Sequence, residues 1–353
     1  MLLFLLGSAT AGTLTLDMLD VGQGDSLLIT TPNGQHILVD AGTSKSSVAN
    51  TLSRMGIQKL DLLIASHPHA DHIGGMKSVI ERFPVGGYFH SGDTHTTRTY
   101  RNLEQTIQDQ SVESRAAKAG QVFELGDGAT MKVLWPGTLR LDGTRSDLNS
   151  NSVVLRIENG EDCMLLMGDA EEPTENAILR HNFQSCDLLK VAHHGSRHSS
   201  TQRFLSAVDP SIALISVGDR NRYRHPGDAT LSKLHRMEVD VYRSDLTGHV
   251  TVVSTGKGLK VVDGLPDSAP LRARRKVVLG PVDADSQLTP LIADPPPPEP
   301  PIASIIDLTE PEDASAGLSV ETTNAPEEKS SWERFLSRIT FWRKSSNSKD
   351  NSE

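Results

Sequence analysis

Apolar positions recur in short, punctuated runs from about Thr13 to Val262, and then the pattern stops. Leu14, Leu16 and Met18 alternate with polar neighbours, whereas Leu27–Ile29 and Ile37–Val39 are continuous apolar triplets. Alternation marks a strand buried on one face, and a short continuous run marks a strand buried on both. Asn33-Gly34 between two such runs predicts a hairpin turn. Ser44–Met55 predicts a helix with a Ser cap and a stop at Gly56, and Leu60–Ala65 predicts the next strand. A second run repeats the plan, with strands over Val153–Ile157, Cys163–Met167, Leu188–Ala192 and Ile212–Val217. Helices are expected over Glu171–Arg180, Thr201–Ala207 and Ala229–Arg236, and strands near Val239–Tyr242, Gly248–Val253 and Leu259–Val262 end the pattern. Two strand-rich halves with helices outside predict an α/β protein, a four-layer αββα sandwich.

The same pattern divides the chain. Residues 12–265 are the expected folded domain, a length that suits a two-sheet sandwich. Residues 1–11 read as a signal-peptide remnant, an apolar Leu2–Leu6 run followed by the small residues Ala9-Thr10-Ala11, although no basic residue precedes it. That reading predicts export to the periplasm or beyond; an ordinary apolar first strand is the alternative. Residues 266–330 hold a polyproline run, Asp294–Pro301, and an acidic Ser/Thr-rich stretch, which predict a disordered linker. In residues 331–353, Trp332, Phe335, Leu336, Ile339 and Trp342 recur at helical spacing beside Arg334, Arg338, Arg343 and Lys344. Such a basic amphipathic segment can dock on a membrane surface or a protein partner, or be an idle tail end.

A net charge of -10 excludes a grip on nucleic acid by the whole surface. Any polyanion must be held locally, and Arg197, Arg220, Arg222 and Arg224 are the residues placed to do it, unless they are only solvated loop charges. Cys163 and Cys186 form no zinc-ribbon pattern. They read as buried free thiols, or as one disulfide if the chain is exported.

The chemistry concentrates at the ends of the predicted strands, where open α/β sheets place their sites. Leu60–Ala65 delivers His67-x-His69-x-Asp71-His72, four metal-ligating groups within six residues, followed by Gly74-Gly75. Neutral imidazole and carboxylate suit zinc and related divalent ions. Alternation puts His67 and His69 on one side, while Asp71 and His72 reach a second position. Downstream, Asp169 follows one strand and His193-His194 another. A carboxylate between two metals can bridge them, and a final His can close the second site. Taken singly, Asp169 is as easily a helix cap and His194 a loop histidine.

These residues, with Asp40 in LVDAG, resemble the metallo-β-lactamase superfamily. More narrowly, LDVGQGDS (Leu19–Ser26), SHPHADHIGG, LNSNSVVLRI, GDA, LKVAHHGS, YRHP and VYRSDLTGHV resemble, in family order over about residues 13–262, the C-terminal metallo-hydrolase domain of ComEC, the competence protein of DNA uptake. ComEC's membrane-channel part is not in this sequence, so a stand-alone relative is expected. The resemblance implies a metallo-β-lactamase-type sandwich with two divalent ions, Zn or Mn, and no organic cofactor. His67 and His69 would hold the first ion, Asp71, His72 and His194 the second, and Asp169 would bridge. Asp25 and Asp40 would support the ligands. His193 and His225 would contact the scissile phosphate or its leaving group, so the expected catalytic residues are Asp71, His193 and His225. Ser196 would add a hydrogen bond and Arg224 would meet the substrate.

One departure stands out. Many superfamily members supply a third His to the first metal, and here the matching stretch reads Asp147-Leu-Asn149-Ser-Asn151-Ser152. Asn149 or Asn151 would ligate weakly or orient water, with His90 and His95 as other candidates. An oxygen-richer set favours manganese over zinc. Two ions lower the pKa of a shared water to near neutrality, which supplies a hydroxide for hydrolysis. The leading expectation is therefore a phosphodiesterase or nuclease acting on DNA outside the cytoplasm. The competing ones are a hydrolase of a small ester, thioester or lactam, and a non-catalytic metal-binding scaffold, because fold alone does not fix the substrate.

Overall fold

The continuous apolar runs are strands that face two cores at once. Leu27 and Ile29 point into one hydrophobic cluster with Leu14, Leu16 and Met18, while Leu28 between them points into another with Leu38 and Leu63. The computed structural model describes residues 11–263 and the short segment Ile339–Phe341. Its strands are β1 (Leu14–Met18), β2 (Leu27–Thr30), β3 (His36–Val39), β4 (Leu62–Ala65), β5 (Tyr88–His90), β6 (Ser114–Ala116), β7 (Gln121–Gly126), β8 (Ala129–Trp135), β9 (Val154–Asn159), β10 (Asp162–Leu166), β11 (Leu188–Lys190), β12 (Ile212–Ile215), β13 (Asp240–Arg243), β14 (Val250–Ser254), β15 (Leu259–Asp263) and β16 (Ile339–Phe341). Its helices are α1 (Val48–Arg54), α2 (Ala70–Ile73), α3 (Met76–Arg82), α4 (Arg98–Asp109), α5 (Asp147–Ser150), α6 (Glu172–Ile178), α7 (Gln202–Val208), α8 (Asp228–Arg236) and α9 (Ser244–Thr247).

Two sheets form, in the orders β15-β14-β1-β2-β3-β4-β5-β6 and β13-β12-β11-β10-β9-β8-β7-β16. Between them lies a core that includes Leu16, Ile64, Phe89, Met131, Leu155, Met164 and Leu214. Outside the first sheet, α1, α3 and α4 bury Leu52, Val79 and Leu103; outside the second, α6, α7 and α8 bury Ile178, Phe204 and Leu234. This is the expected αββα sandwich. In each sheet half of the strands are parallel, β3 to β6 in one and β10 to β13 in the other. The loops that leave the C-terminal ends of β3, β4, β10, β11 and β12 carry Asp40, His67–His72, Asp169, His193-His194 and His225.

Most expected elements are present, with three differences. The first helix begins at Val48, because Ser46 donates its hydroxyl to the carbonyls of Ala41 (3.0 Å) and Thr43 (2.6 Å) and so spends the start of the segment in a turn. Cys163 and Cys186 are joined as a disulfide, with Cα atoms 4.7 Å apart, which corrects the free-thiol reading. In the tail, Ile339–Phe341 is extended and pairs antiparallel with Gln121–Phe123 of β7, where the apolar spacing predicts helix. The segment up to Thr10 that reads as a signal-peptide remnant, the stretch expected to be a linker and the rest of the tail lie outside the described residues.

The disulfide closes a 23-residue separation, a span for which the cross-link contributes about 3 kcal/mol by restricting the unfolded chain. Unreduced, denatured protein should therefore take up no iodoacetamide and should gain two adducts after reduction, with a lower denaturant midpoint. Alkylation without reduction would contradict the pairing.

Candidate metal centre

The strand–turn–helix that carries the first motif is clamped from three sides. At the end of β3, Asp40 adopts a left-handed φ of 60°, which a short polar side chain tolerates. Its carboxylate then accepts from the Ser66 amide (2.8 Å) and hydroxyl (2.6 Å) at the end of β4 and from His72 Nδ1 (2.7 Å). Gly24 has a φ of +132°, and a Cβ there would meet the Asp71 carbonyl at 2.1 Å, so only glycine lets this loop lie against α2. From the other sheet, fully buried Lys190 on β11 donates to Asp25 Oδ2 at 2.7 Å, and Ser216 donates to the Gly24 carbonyl at 2.6 Å. The two sheets are thereby bolted together beneath the site.

Four imidazoles converge on one buried carboxylate. Asp169 Oδ2 lies 3.8 Å from His67 Nε2 and 3.6 Å from His193 Nε2, while Oδ1 lies 3.3 Å from His72 Nε2 and 3.6 Å from His194 Nε2. His67 Nε2 and His69 Nδ1 are 2.9 Å apart, and His194 Nε2 is 3.5 Å from Asp71 Oδ2. Four compact groups of ligand atoms result, among them His67, His72 and Asp169, and Asp71, His72 and His194. His193 and His194 both sit at left-handed φ, 51° and 54°, a strained backbone of the kind that clusters at functional sites.

The residues fit divalent cations, and the hydrogen bonds say why. His72 spends Nδ1 on Asp40, and His194 donates Nδ1 to the Ser216 carbonyl at 2.9 Å. Each ring therefore presents a bare Nε2 to the cluster, the usual way an outer partner fixes a ligand's tautomer. His72 Nε2, His194 Nε2 and Asp169 Oδ1 are buried without a hydrogen-bond partner. Three orphaned acceptors facing one another are costly in a protein interior unless a cation lies between them.

The titration behaviour carries the same message. Burial disfavours a charged His194, yet Asp169 and Asp25 outweigh that and raise its pKa to about 10. His72 is likewise pushed up against its burial, by Asp169 and Asp40. Burial alone would raise Asp169, but His72, His194 and His193 hold it well below the usual range. Positive charge is what the cluster calls for: without a metal, a proton on each bare Nε2 would stand toward Asp169, where a cation would otherwise lie.

Of the expected residues, His67, His69, Asp71, His72, Asp169 and His194 come together, with Asp25 and Asp40 behind them. His193 faces Asp169, and its Nδ1 is 3.3 Å from Glu171 Oε1. The His225 ring lies 5.5 Å from that of His193. Asp169 does not cap α6; Glu171 stands at that position. Asn149 reaches Glu171 (3.2 Å) and His193 Nδ1 (3.4 Å) rather than the ligand pair. Asn151 is excluded, since its amide is spent on the backbone of Leu141 and Asp147. Ser196 accepts from the His198 amide within its own turn, and Arg224, Arg197 and Arg220 are exposed. His90 accepts from Gly92, whereas the His95 ring comes within 5.7 Å of His69. Lys190, Ser66, Ser216 and Glu171 were missed by sequence reasoning. Lys190 alone left a trace, a cation in an apolar strand.

The metallo-beta-lactamase superfamily profile matches residues 19–219. The chain is 32% identical over 247 residues to Recombination protein 2 of Haemophilus influenzae, which covers 68% of this chain and 29% of that protein. It is 29% identical over 256 residues to ComE operon protein 3 of Bacillus subtilis (67% and 32%) and 31% identical over 235 residues to Competence protein ComA of Neisseria gonorrhoeae (65% and 30%). The chain thus spans about a third of these relatives' length. Among solved structures, the metallo-beta-lactamase fold protein YhfI of Bacillus subtilis matches at 14% identity with a TM-score of 0.42, covering 65% of this chain and 96% of its own.

The His194 pKa of about 10 lies above the ordinary 6.5, so its stabilising charge is complete below pH 6.5 and is lost as pH rises toward 10. Metal-stripped protein should therefore lose thermal stability across that window, while metal-loaded protein should not, because the ion replaces the proton. Parallel melting curves with and without metal would contradict this.

Proposed function

The chain belongs to the metallo-beta-lactamase superfamily, and on that premise we propose that it is a metal-dependent phosphodiesterase that acts on DNA outside the cytoplasm. The observation that carries this reading is the buried, orphaned ligand cluster, whose member Asp71 also lines a neighbouring cavity of about 380 Å³ together with Arg222. The relatives' names, competence and recombination proteins, point to DNA. The disulfide favours an oxidising compartment. Among the described residues no helix is long and apolar enough to cross a membrane.

His67, His69 and Asp169 would hold one divalent ion, and Asp71, His72, His194 and Asp169 a second, with zinc or manganese suiting this mixed nitrogen and oxygen set. Such ions acidify water and neutralise charge developing on a phosphate. The protein's own groups then divide the remaining work. Burial, with His193 and His194 nearby, pushes His225 down to about 4, so it is neutral at pH 7 and serves to orient a phosphate oxygen rather than to protonate the leaving group. His193 is the proton donor in this reading. The Glu171 carboxylate, 3.3 Å from Nδ1, orients the ring so that Nε2 lies 3.6 Å from Asp169 in the cluster. Arg145, which donates to Glu171 Oε2 at 3.0 Å, holds that carboxylate in place.

The test is cleavage of single- and double-stranded DNA and of bis-p-nitrophenyl phosphate with and without Mn²⁺ or Zn²⁺, beside a His67→Ala, Asp71→Ala double mutant. Metal-dependent cleavage that the double mutant loses is expected. His193→Ala should lower kcat on DNA by about 10²- to 10⁴-fold. The loss should be smaller on the nitrophenyl ester, whose leaving group needs no proton. No cleavage of any phosphodiester by metal-loaded protein would overturn the reading in favour of a small ester, thioester or lactam, or of a scaffold.

A further inference from the structure

The loop that follows β12 holds an aromatic ring beside the cluster. Tyr223 is 50% exposed, and its ring lies 5.8 Å from that of His225 at a 30° interplanar angle. Arg222 donates to the Tyr223 hydroxyl at 2.8 Å, with its guanidinium carbon 4.9 Å from the ring centroid. Both residues line the 380 Å³ cavity whose wall includes Asp71, with Thr43, Thr99 and Gln23 also lining it.

The loop is braced rather than loose. The Asn221 side chain donates to the carbonyls of Gly218 (3.0 Å) and His225 (2.6 Å) and accepts from the His225 amide (3.0 Å). Arg220 and Arg224, on either side, take left-handed φ values of 51° and 59°. That conformation is strained for arginine, and here it keeps Tyr223 at the cavity.

We propose that Tyr223 and Arg222 form a subsite for an unpaired nucleobase next to the phosphate held at the metal cluster. This rests on the phosphodiesterase reading and narrows its substrate to nucleic acid with an unstacked base. A net charge of -10 weighs against a grip on duplex phosphates by the whole surface, so contacts beyond the phosphates gain importance. An aromatic ring with a guanidinium held over it, here 4.9 Å from the centroid, is a pairing that binds single strands irrespective of sequence. A cavity of this size takes one small ligand. Its rim of hydroxyl and amide side chains suits base edges or sugar. In a duplex the stacked base cannot present its face to Tyr223.

The test measures binding to full-length, metal-stripped protein by fluorescence anisotropy. The probes are an oligothymidylate, an abasic oligomer of equal length and a duplex. The wild type should bind the oligothymidylate more tightly than the abasic strand. Tyr223→Ala should weaken oligothymidylate binding by roughly 10- to 100-fold. It should leave abasic and duplex binding unchanged. Tyr223→Phe should retain most of the difference. A base-dependent difference that survives Tyr223→Ala would overturn the subsite, as would its absence in the wild type. The failure of the parent reading is seen separately, as absent cleavage of bis-p-nitrophenyl phosphate by the metal-loaded wild type.

Discussion

A buried carboxylate surrounded by four imidazoles is the constraint around which this protein is arranged. Asp169 is 2% exposed, and both of its oxygens face ring nitrogens from two other loops within 4 Å. Left to themselves, such groups would carry a heavy desolvation cost in a protein interior. The cost is met by positive charge, as protons on His72 and His194 in the metal-free chain and as metal ions when they bind.

Holding that carboxylate in register requires both sheets. The ligand loops of β4, β10 and β11 belong to different layers, and inter-sheet apolar packing alone is not directional. Direction comes from polar bolts. Asp40 fixes Ser66 and His72 within the first sheet. The pair of Lys190 and Asp25 ties the second sheet to the loop behind α2, and Asp25 Oδ1 in turn lies 3.2 Å from His194 Nδ1. Removing one partner of such a buried pair leaves an uncompensated charge, so these contacts are structural and functional at once.

How much of this was legible in the sequence follows from range. His67, His69, Asp71 and His72 are neighbours in sequence, and the strand before them was marked by its apolar run, so the cluster could be seen locally. The two-faced burial of Leu27–Ile29 was legible for the same reason. Lys190 was not, because its meaning depends on Asp25, 165 residues away. Asn151 was a candidate to replace the missing third histidine, but its amide is occupied by Leu141 ten residues back, a turn contact without a pattern. The pairing of Cys163 and Cys186 depends on β10 and β11 lying side by side, which spacing along the chain does not specify. Tyr223 lies in a motif that was noted for its histidine, and its value comes from the cavity beside it.

The central claim is that Asp169 joins two adjacent cation sites. Metal analysis of the wild type and of Asp169→Asn, dialysed against limiting free Mn²⁺ or Zn²⁺, tests it most directly. The account predicts two ions per chain in the wild type and a loss at both sites in the variant, with the fold retained by circular dichroism. An unchanged metal content in Asp169→Asn, or a wild type that binds no ion, would contradict it.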